Sequence, residues 1–201
     1  MTVAWAAVPP NPFATRHTAP GRLAPRDCRG EPLDLAALAE AARAAGAAAI
    51  EGRHGAGKTT LLTALAGRLA EAGLLGGFVR PRSRADAVSV LRAVRAAPAD
   101  TTVCIDSWEA LGRAAAALIR WVAWRRGVGL LVTSHRPTGM PTLVRCATTP
   151  DLLARLVAAL PPHGGLIGAT DVEHAFRRHE GDVREALYDL YDRFERRARA
   201  I

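Results

Sequence analysis

Eight consecutive residues, Gly52-Arg53-His54-Gly55-Ala56-Gly57-Lys58-Thr59, restrict the folds open to this chain more than any other stretch. They fit the spacing G-x-x-x-x-G-K-[ST] and are followed by Thr60. The small apolar run Ala47 to Ile50 precedes them, and Leu61 to Ala66 follows. That is the order strand, glycine loop, helix. Glycines let the loop curl until successive backbone N–H groups point inward at an anion, and the helix starting near Lys58 adds its positive dipole end. Lys58 then lies across the outer phosphates of a nucleotide, and the Thr59 hydroxyl holds a magnesium ion, which takes oxygen ligands. The candidate nucleotide contacts are therefore Gly52, His54, Gly55, Ala56, Gly57, Lys58, Thr59 and Thr60.

Of the 27 lysines and arginines, Lys58 is the single lysine. A compact ammonium fits where the forked guanidinium used everywhere else in this chain does not. The alternative, a glycine-rich turn that merely caps a helix, leaves this placement of the one lysine without a reason.

A chain of 201 residues, 49% hydrophobic, buries one full core with at most a small appendage. Aromatic content of 5% beside abundant Ala and Leu favours helices packed on a sheet over an all-β fold. The net charge of +8 and pI near 10.8 suit an acidic partner. Nucleotide phosphates answer part of that excess, and nucleic acid remains open as a second partner. Cys28, Cys104 and Cys146 show no C-x-x-C spacing, which implies neither a disulfide framework nor a zinc site and suits a reducing, cytoplasmic setting. Met1 to Pro10 lacks the basic start and apolar core of a signal peptide, and no run of about eighteen apolar residues suggests a membrane span.

Residues 1–32, with six prolines, form an arm or tail that cannot hold a long helix or a central strand. Asn11-Pro12-Phe13 and Arg22-Leu23 are the part of it placed to cover a nucleotide base. Residues 33–149 form the nucleotide-binding domain and 150–201 a helical end. Periodicity predicts helices over Leu33–Ala45, Lys58–Glu71, Ala85–Ala97 and Glu109–Arg126. Strands are predicted at Ala47–Ile50, Gly77–Arg80, Thr101–Asp106, Gly129–Arg136 and Thr142–Cys146.

The strand Thr101–Asp106 ends in a carboxylate. In nucleotide-hydrolysing folds of this kind such an acid stands beside the magnesium ion and helps set its coordination. Asp106 and Thr59 are thus the metal candidates, with an Asp that only caps the next helix as the alternative. No glutamate follows Asp106 directly. Glu109, three residues on, either polarises the attacking water or complements the next helix N-terminus. At the tip of the fourth strand, Thr133, Ser134 and Arg136 can sense a terminal phosphate. His135 is either a general base or a loop histidine, with no partner cluster near it in sequence.

Trp121 and Trp124 alternate with Arg120, Arg125 and Arg126. They either stack bases or pack against a neighbouring element, and the arginines are placed to reach a neighbouring subunit's phosphates. The helical end reads as Asp151–Leu160, Asp171–His179 and a helix opened by Gly181-Asp182, with Asp182 and Glu185 at capping-box spacing. Its small apolar content predicts a bundle that leans on the nucleotide domain, with Arg184 projecting into the gap.

Taken in order, Gly52 to Thr59, Val103 to Asp106, Leu130 to Arg136 and Gly181-Asp182-Val183-Arg184-Glu185-Ala186-Leu187 resemble an AAA+ type P-loop ATPase. The stretch from Leu131 to Arg136 and the Asp106-Ser107-Trp108-Glu109 spacing are also similar to the STAND class of signal-transduction ATPases. The resemblance covers residues 47–199. It implies an α/β three-layer sandwich of about five parallel strands, order 5-1-4-3-2, followed by a helical lid. It also implies ATP and Mg2+ as ligands, Lys58, Asp106, Glu109 and Arg184 as the catalytic set, and Ser134 and Arg184 as further nucleotide contacts.

A GTPase guanine motif, N-K-x-D, is ruled out because no second lysine exists, and the L-S-G-G-Q stretch of ABC transporters is absent. A P-loop small-molecule or nucleoside kinase with Arg177, Arg178 and Arg184 on a closing lid is the enzymatic rival. A nucleotide-binding interaction module with little hydrolysis is the third reading. The leading one is a magnesium-dependent ATPase or nucleotide switch acting on a protein or nucleic-acid partner, alone or as an oligomer.

Overall fold

A computed structural model describes residues 10–162 and 164–200. The part of the expected arm before Pro10 lies outside the described residues, as does all but the last residue of the stretch considered for a signal peptide. The apolar runs predicted as strands form one parallel sheet in the order β2-β3-β4-β1-β5. Its central strands are β1 (Ala47–Gly52), β3 (Thr102–Ile105) and β4 (Gly129–Ser134), buried on both faces, as their unbroken apolar character demands. The edges are β2 (Leu75–Val79) and β5 (Thr142–Cys146). Read from the other edge, this is the order 5-1-4-3-2 that the resemblance implies.

Alternate side chains along each strand feed two different cores. Ala48, Ile50, Cys104 and Leu131 pack beneath α2 (Leu35–Ala45) and α3 (Lys58–Glu71). Ala49, Val103, Ile105, Leu130 and Val132 pack against α4 (Ala87–Ala96) and α5 (Arg113–Arg125). The result is a three-layer α/β sandwich, as the P-loop NTPase-like resemblance implies.

The expected helix Glu109–Arg126 is in fact two elements. Trp108–Leu111 is a 3₁₀ turn pinned by Trp108 and Leu111, which are 5% and 1% exposed, and Gly112 at φ 75° separates it from α5. The fourth strand stops at Ser134, two residues short of the expected Arg136. Trp121 and Trp124 are not buried against a neighbouring element; they stand 57% and 75% exposed.

The helical end is α6 (Pro150–Ala158), α7 (Ala169–Arg178) and α8 (Val183–Ala198). Contrary to expectation it has a core of its own, built on Leu153, Ala175, Ala186, Leu190 and Phe194. Into that core comes Phe13 from the arm, 1% exposed, its ring 6.4 Å from that of Phe194. Asn11 Nδ2 donates to the Tyr191 carbonyl at 3.1 Å and to Glu195 Oε1 at 2.9 Å. After α1 (Thr15–Thr18) the arm crosses α3, where a Cβ on Gly21 would stand 3.2 Å from Thr63 Cγ2. It returns to the helical end through Arg155–Glu31 at 3.0 Å and a bond from the Thr149 hydroxyl to the Cys28 carbonyl. The arm thus touches both the helical end and the sandwich.

Candidate nucleotide site

The loop between β1 and α3 takes the curl its glycines allow. Gly57, at φ 82°, is the left-handed residue that caps α3 just before Lys58; a Cβ there would meet nothing, so backbone conformation alone requires glycine. Gly55, at φ 70°, is required on two counts, because a Cβ would come within 1.9 Å of Asp182 Oδ1 on the lid. Lys58 reaches back along the loop and donates to the Gly52 and Arg53 carbonyls at 2.7 and 2.6 Å. Burial lowers its pKa, and the Arg184 charge pushes the same way, against the pull of Glu109 and Asp106.

Asp106, 4% exposed, follows β3 and gathers the site around itself. The Thr59 hydroxyl lies 3.1 Å from both of its oxygens, and Thr133 Oγ1 donates to Oδ1 at 2.7 Å. Arg80 Nε donates to Oδ2 at 2.7 Å. Thr133 also accepts from the Ser107 N–H at 2.9 Å. Ser107 sits at φ 82°, a left-handed conformation that disfavours a side chain and persists where the surroundings hold it. Sequence reading missed Arg80. The parallel register could have found it: Val79 pairs with Ile105, so the next residues, Arg80 and Asp106, leave the sheet side by side.

Glu109 projects from the 3₁₀ turn, not from the first turn of a long helix. Its Oε1 is 2.7 Å from His135 Nδ1, and its Oε2 is buried with no partner. The His135 ring stacks on that of His54 from the phosphate loop, centroids 4.6 Å apart at 37°. The partner that His135 lacks in sequence is thus Glu109, 26 positions away, delivered by the end of the neighbouring strand.

A cavity of about 450 Å³ opens above these groups, a volume that suits one small-molecule ligand. Residues 54–60, Asp106, Glu109 and Thr133 form its floor. Leu23, Pro25 and Cys28 of the arm wall one side, and Arg184 and Tyr188 of α8 another. Of the sequence candidates, Gly52 contributes only its carbonyl to Lys58, and Ser134, 2% exposed, does not line the cavity; its hydroxyl accepts from the Arg136 N–H at 3.0 Å. Arg177 and Arg178 line a separate hollow with His174 and Arg193.

The residues present fit a magnesium–nucleotide complex. Thr59 and Asp106 are hard oxygen donors already in contact, and the buried, unpartnered Glu109 Oε2 is an acceptor waiting for a donor. Among the described residues no cluster of three or more His, Cys, Asp or Glu forms a self-sufficient metal cage, so a cation here would need further oxygens from a ligand or water. Nor, among them, is any helix long and apolar enough to cross a membrane.

Loop, sheet order and terminal aspartate together define the architecture of a P-loop NTPase sandwich. No protein-family model and no curated protein matches the chain. Among solved structures it is similar to the structure of C. elegans PCH-2, at 12% identity over 81% of this chain and 67% of that one, with a TM-score of 0.39.

Proposed function

We propose that the chain binds ATP with magnesium and hydrolyses it slowly, as a nucleotide switch whose arm and lid carry the signal to a partner. The observation that carries this reading is the contact of Thr59 with Asp106 beside the Lys58 loop, on the floor of a cavity closed by arm and lid. Lys58 exchanges its two loop carbonyls for outer phosphate oxygens, a trade of neutral acceptors for charged ones that favours the loaded state. Thr59 and Asp106 would hold the magnesium ion, which would supply positive charge to offset that of the phosphates. Glu109 takes the proton of the attacking water on Oε2 while His135 fixes the carboxylate through Oε1. Arg184, at the start of α8, meets the outer phosphates and so ties lid position to nucleotide state.

Leu23 and Pro25 of the arm line the cavity and would face the adenine, and a guanine-specific motif is lacking. The kinase reading is weaker, because two of its three lid arginines face another hollow. The partner is a protein or a nucleic acid, met by a monomer or an oligomer, and the three free thiols suit a reducing cytoplasm.

Phosphate release from Mg-ATP by the wild-type chain and by Glu109→Gln tests the proposal. Removing a general base lowers turnover by about 10²- to 10⁴-fold and leaves ATP affinity in place. Equal turnover in the two would remove Glu109 from the chemistry, and no ATP binding by either would end the reading.

A further inference from the structure

The far end of the sandwich carries a second built surface. β1, β3 and β4 begin there, at Ala47, Thr102 and Gly129, one strand length from the phosphate loop that follows Gly52. A groove of about 880 Å³ runs across these strand starts, between the end of α2 and one flank of α5. Trp121, Trp124 and Arg120 line it from α5, and Arg43 from α2.

The exposed arc of α5 follows from helical spacing. Arg113, Arg120 and Trp124, at i, i+7 and i+11, run along one line, with Trp121 and Arg125 beside it. All five are exposed, while Ile119, Val122 and Ala123 on the opposite side are buried against the sheet. Two indoles of this exposure one turn apart are not needed for the fold. The adjoining α4 adds Arg92 and Arg95, both exposed.

Charge selects the occupant. Neither α4 nor α5 contains an acidic residue. Among the described residues Arg92, Arg95, Arg113, Arg120, Arg125 and Arg126 make no ion pair, so no acid of the chain neutralises this face. The acids that border the groove are Glu40, already paired with Arg43 at 3.1 Å, and Asp100. A second copy docked face to face would set six arginines against six, which like-charge repulsion opposes. A polyanion removes that repulsion, and flat aromatic faces between the positive charges favour one whose bases are free to stack. In a duplex those faces are already covered by neighbouring bases.

We propose that the α4–α5 face and its groove bind single-stranded nucleic acid, with bases stacked on Trp121 and Trp124 and the phosphate backbone tracked by Arg113, Arg120 and Arg125. The site stands apart from the nucleotide cavity and holds whether or not ATP is the ligand there.

Fluorescence anisotropy of a fluorescein-labelled 20-nucleotide poly-dT strand, titrated with the full chain at about 50 mM salt, tests it. The wild-type chain binds, and Trp121→Ala/Trp124→Ala weakens binding by at least about tenfold, the loss expected from one stacked base. Because both indoles are exposed, the double variant keeps its thermal midpoint. Arg120→Ala/Arg125→Ala reduces the slope of log affinity against log salt by about 1.4, two backbone contacts at 0.7 each. Lys58→Ala still binds the strand. Absence of binding at this salt, undiminished binding by the tryptophan variant, or equal competition by a duplex of the same length overturns the proposal. So does a wild-type dimer in sedimentation that the tryptophan variant abolishes, which would give the face to a second copy.

Discussion

Replacing Thr133 by valine isolates one hydroxyl on which the site geometry turns. Thr133 is 1% exposed, its Oγ1 donates to Asp106 Oδ1 at 2.7 Å, and it accepts from the Ser107 N–H at 2.9 Å. Valine keeps the shape and removes both bonds. A hydrogen bond to a charged group contributes about 1.5–3 kcal/mol, and an amide left unpaired costs about 1–3 kcal/mol more. Ser107, held at φ 82° in part by this contact, is then free to relax, which trims the total toward the lower end. The expected loss is about 3 kcal/mol, read as a lower urea midpoint with an unchanged slope. In a chain of 201 residues that corresponds to a fall of roughly 6–12 °C in thermal midpoint. Mg-ATP binding weakens as well, because Asp106 loses the donor that fixes one of its oxygens. Thr133→Ser restores both bonds, giving up only a methyl group worth about 1 kcal/mol. A valine variant within about 0.5 kcal/mol of wild type, with ATP affinity intact, would refute the role given to this hydroxyl.

Three further outcomes follow from the same geometry. Arg184→Ala keeps most nucleotide affinity and loses hydrolysis or lid closure, measured by phosphate release and by protease protection of α8 with and without ATP; wild-type values for both would take Arg184 out of the site. Asp171 is held at about 2, chiefly by hydrogen bonds from Arg197, so its contribution to lid stability is complete above the unfolded value near 3.8 and disappears as pH falls to about 2. Asp171→Asn should flatten that part of the acid titration of stability, and an unchanged profile would count against the pairing. Burial pushes the thiols of Cys104 and Cys146 up to about 12 and about 11, whereas Cys28 is exposed on the cavity wall. A thiol reagent at neutral pH should therefore label Cys28 first, more slowly when ATP is present, and equal labelling of all three would contradict the lower exposure of the buried Cys104 and the half-buried Cys146.

What local rules control was legible in the residues. The helix Lys58–Glu71 falls where its periodicity and the preceding glycine place it, and Asp106 directly follows a strand, Thr102–Ile105, one residue shorter at each end than its sequence suggests. Alanine-rich periodicity runs through Gly112, so one long helix was the natural expectation; burial of Trp108 and Leu111 folds the first turn inward and overrides it. The hidden parts are pairings set by tertiary register. Arg80 meets Asp106 across 26 residues because both directly follow paired strand ends, and His135 meets Glu109 across the same interval because the 3₁₀ turn after β3 folds Glu109 back toward the end of β4. The arm's attachment through Phe13 joins residues 181 positions apart, a distance at which no periodicity speaks.

The most direct test of the central claim is calorimetric titration of Mg-ATP into the wild-type chain and into Lys58→Ala. Nothing folded depends on this ammonium beyond two loop carbonyls, so the variant remains folded while the phosphates lose a charge-assisted contact of roughly 1.5–3 kcal/mol. Affinity weaker by about tenfold or more is the predicted result, and equal affinity in the two proteins would contradict the account.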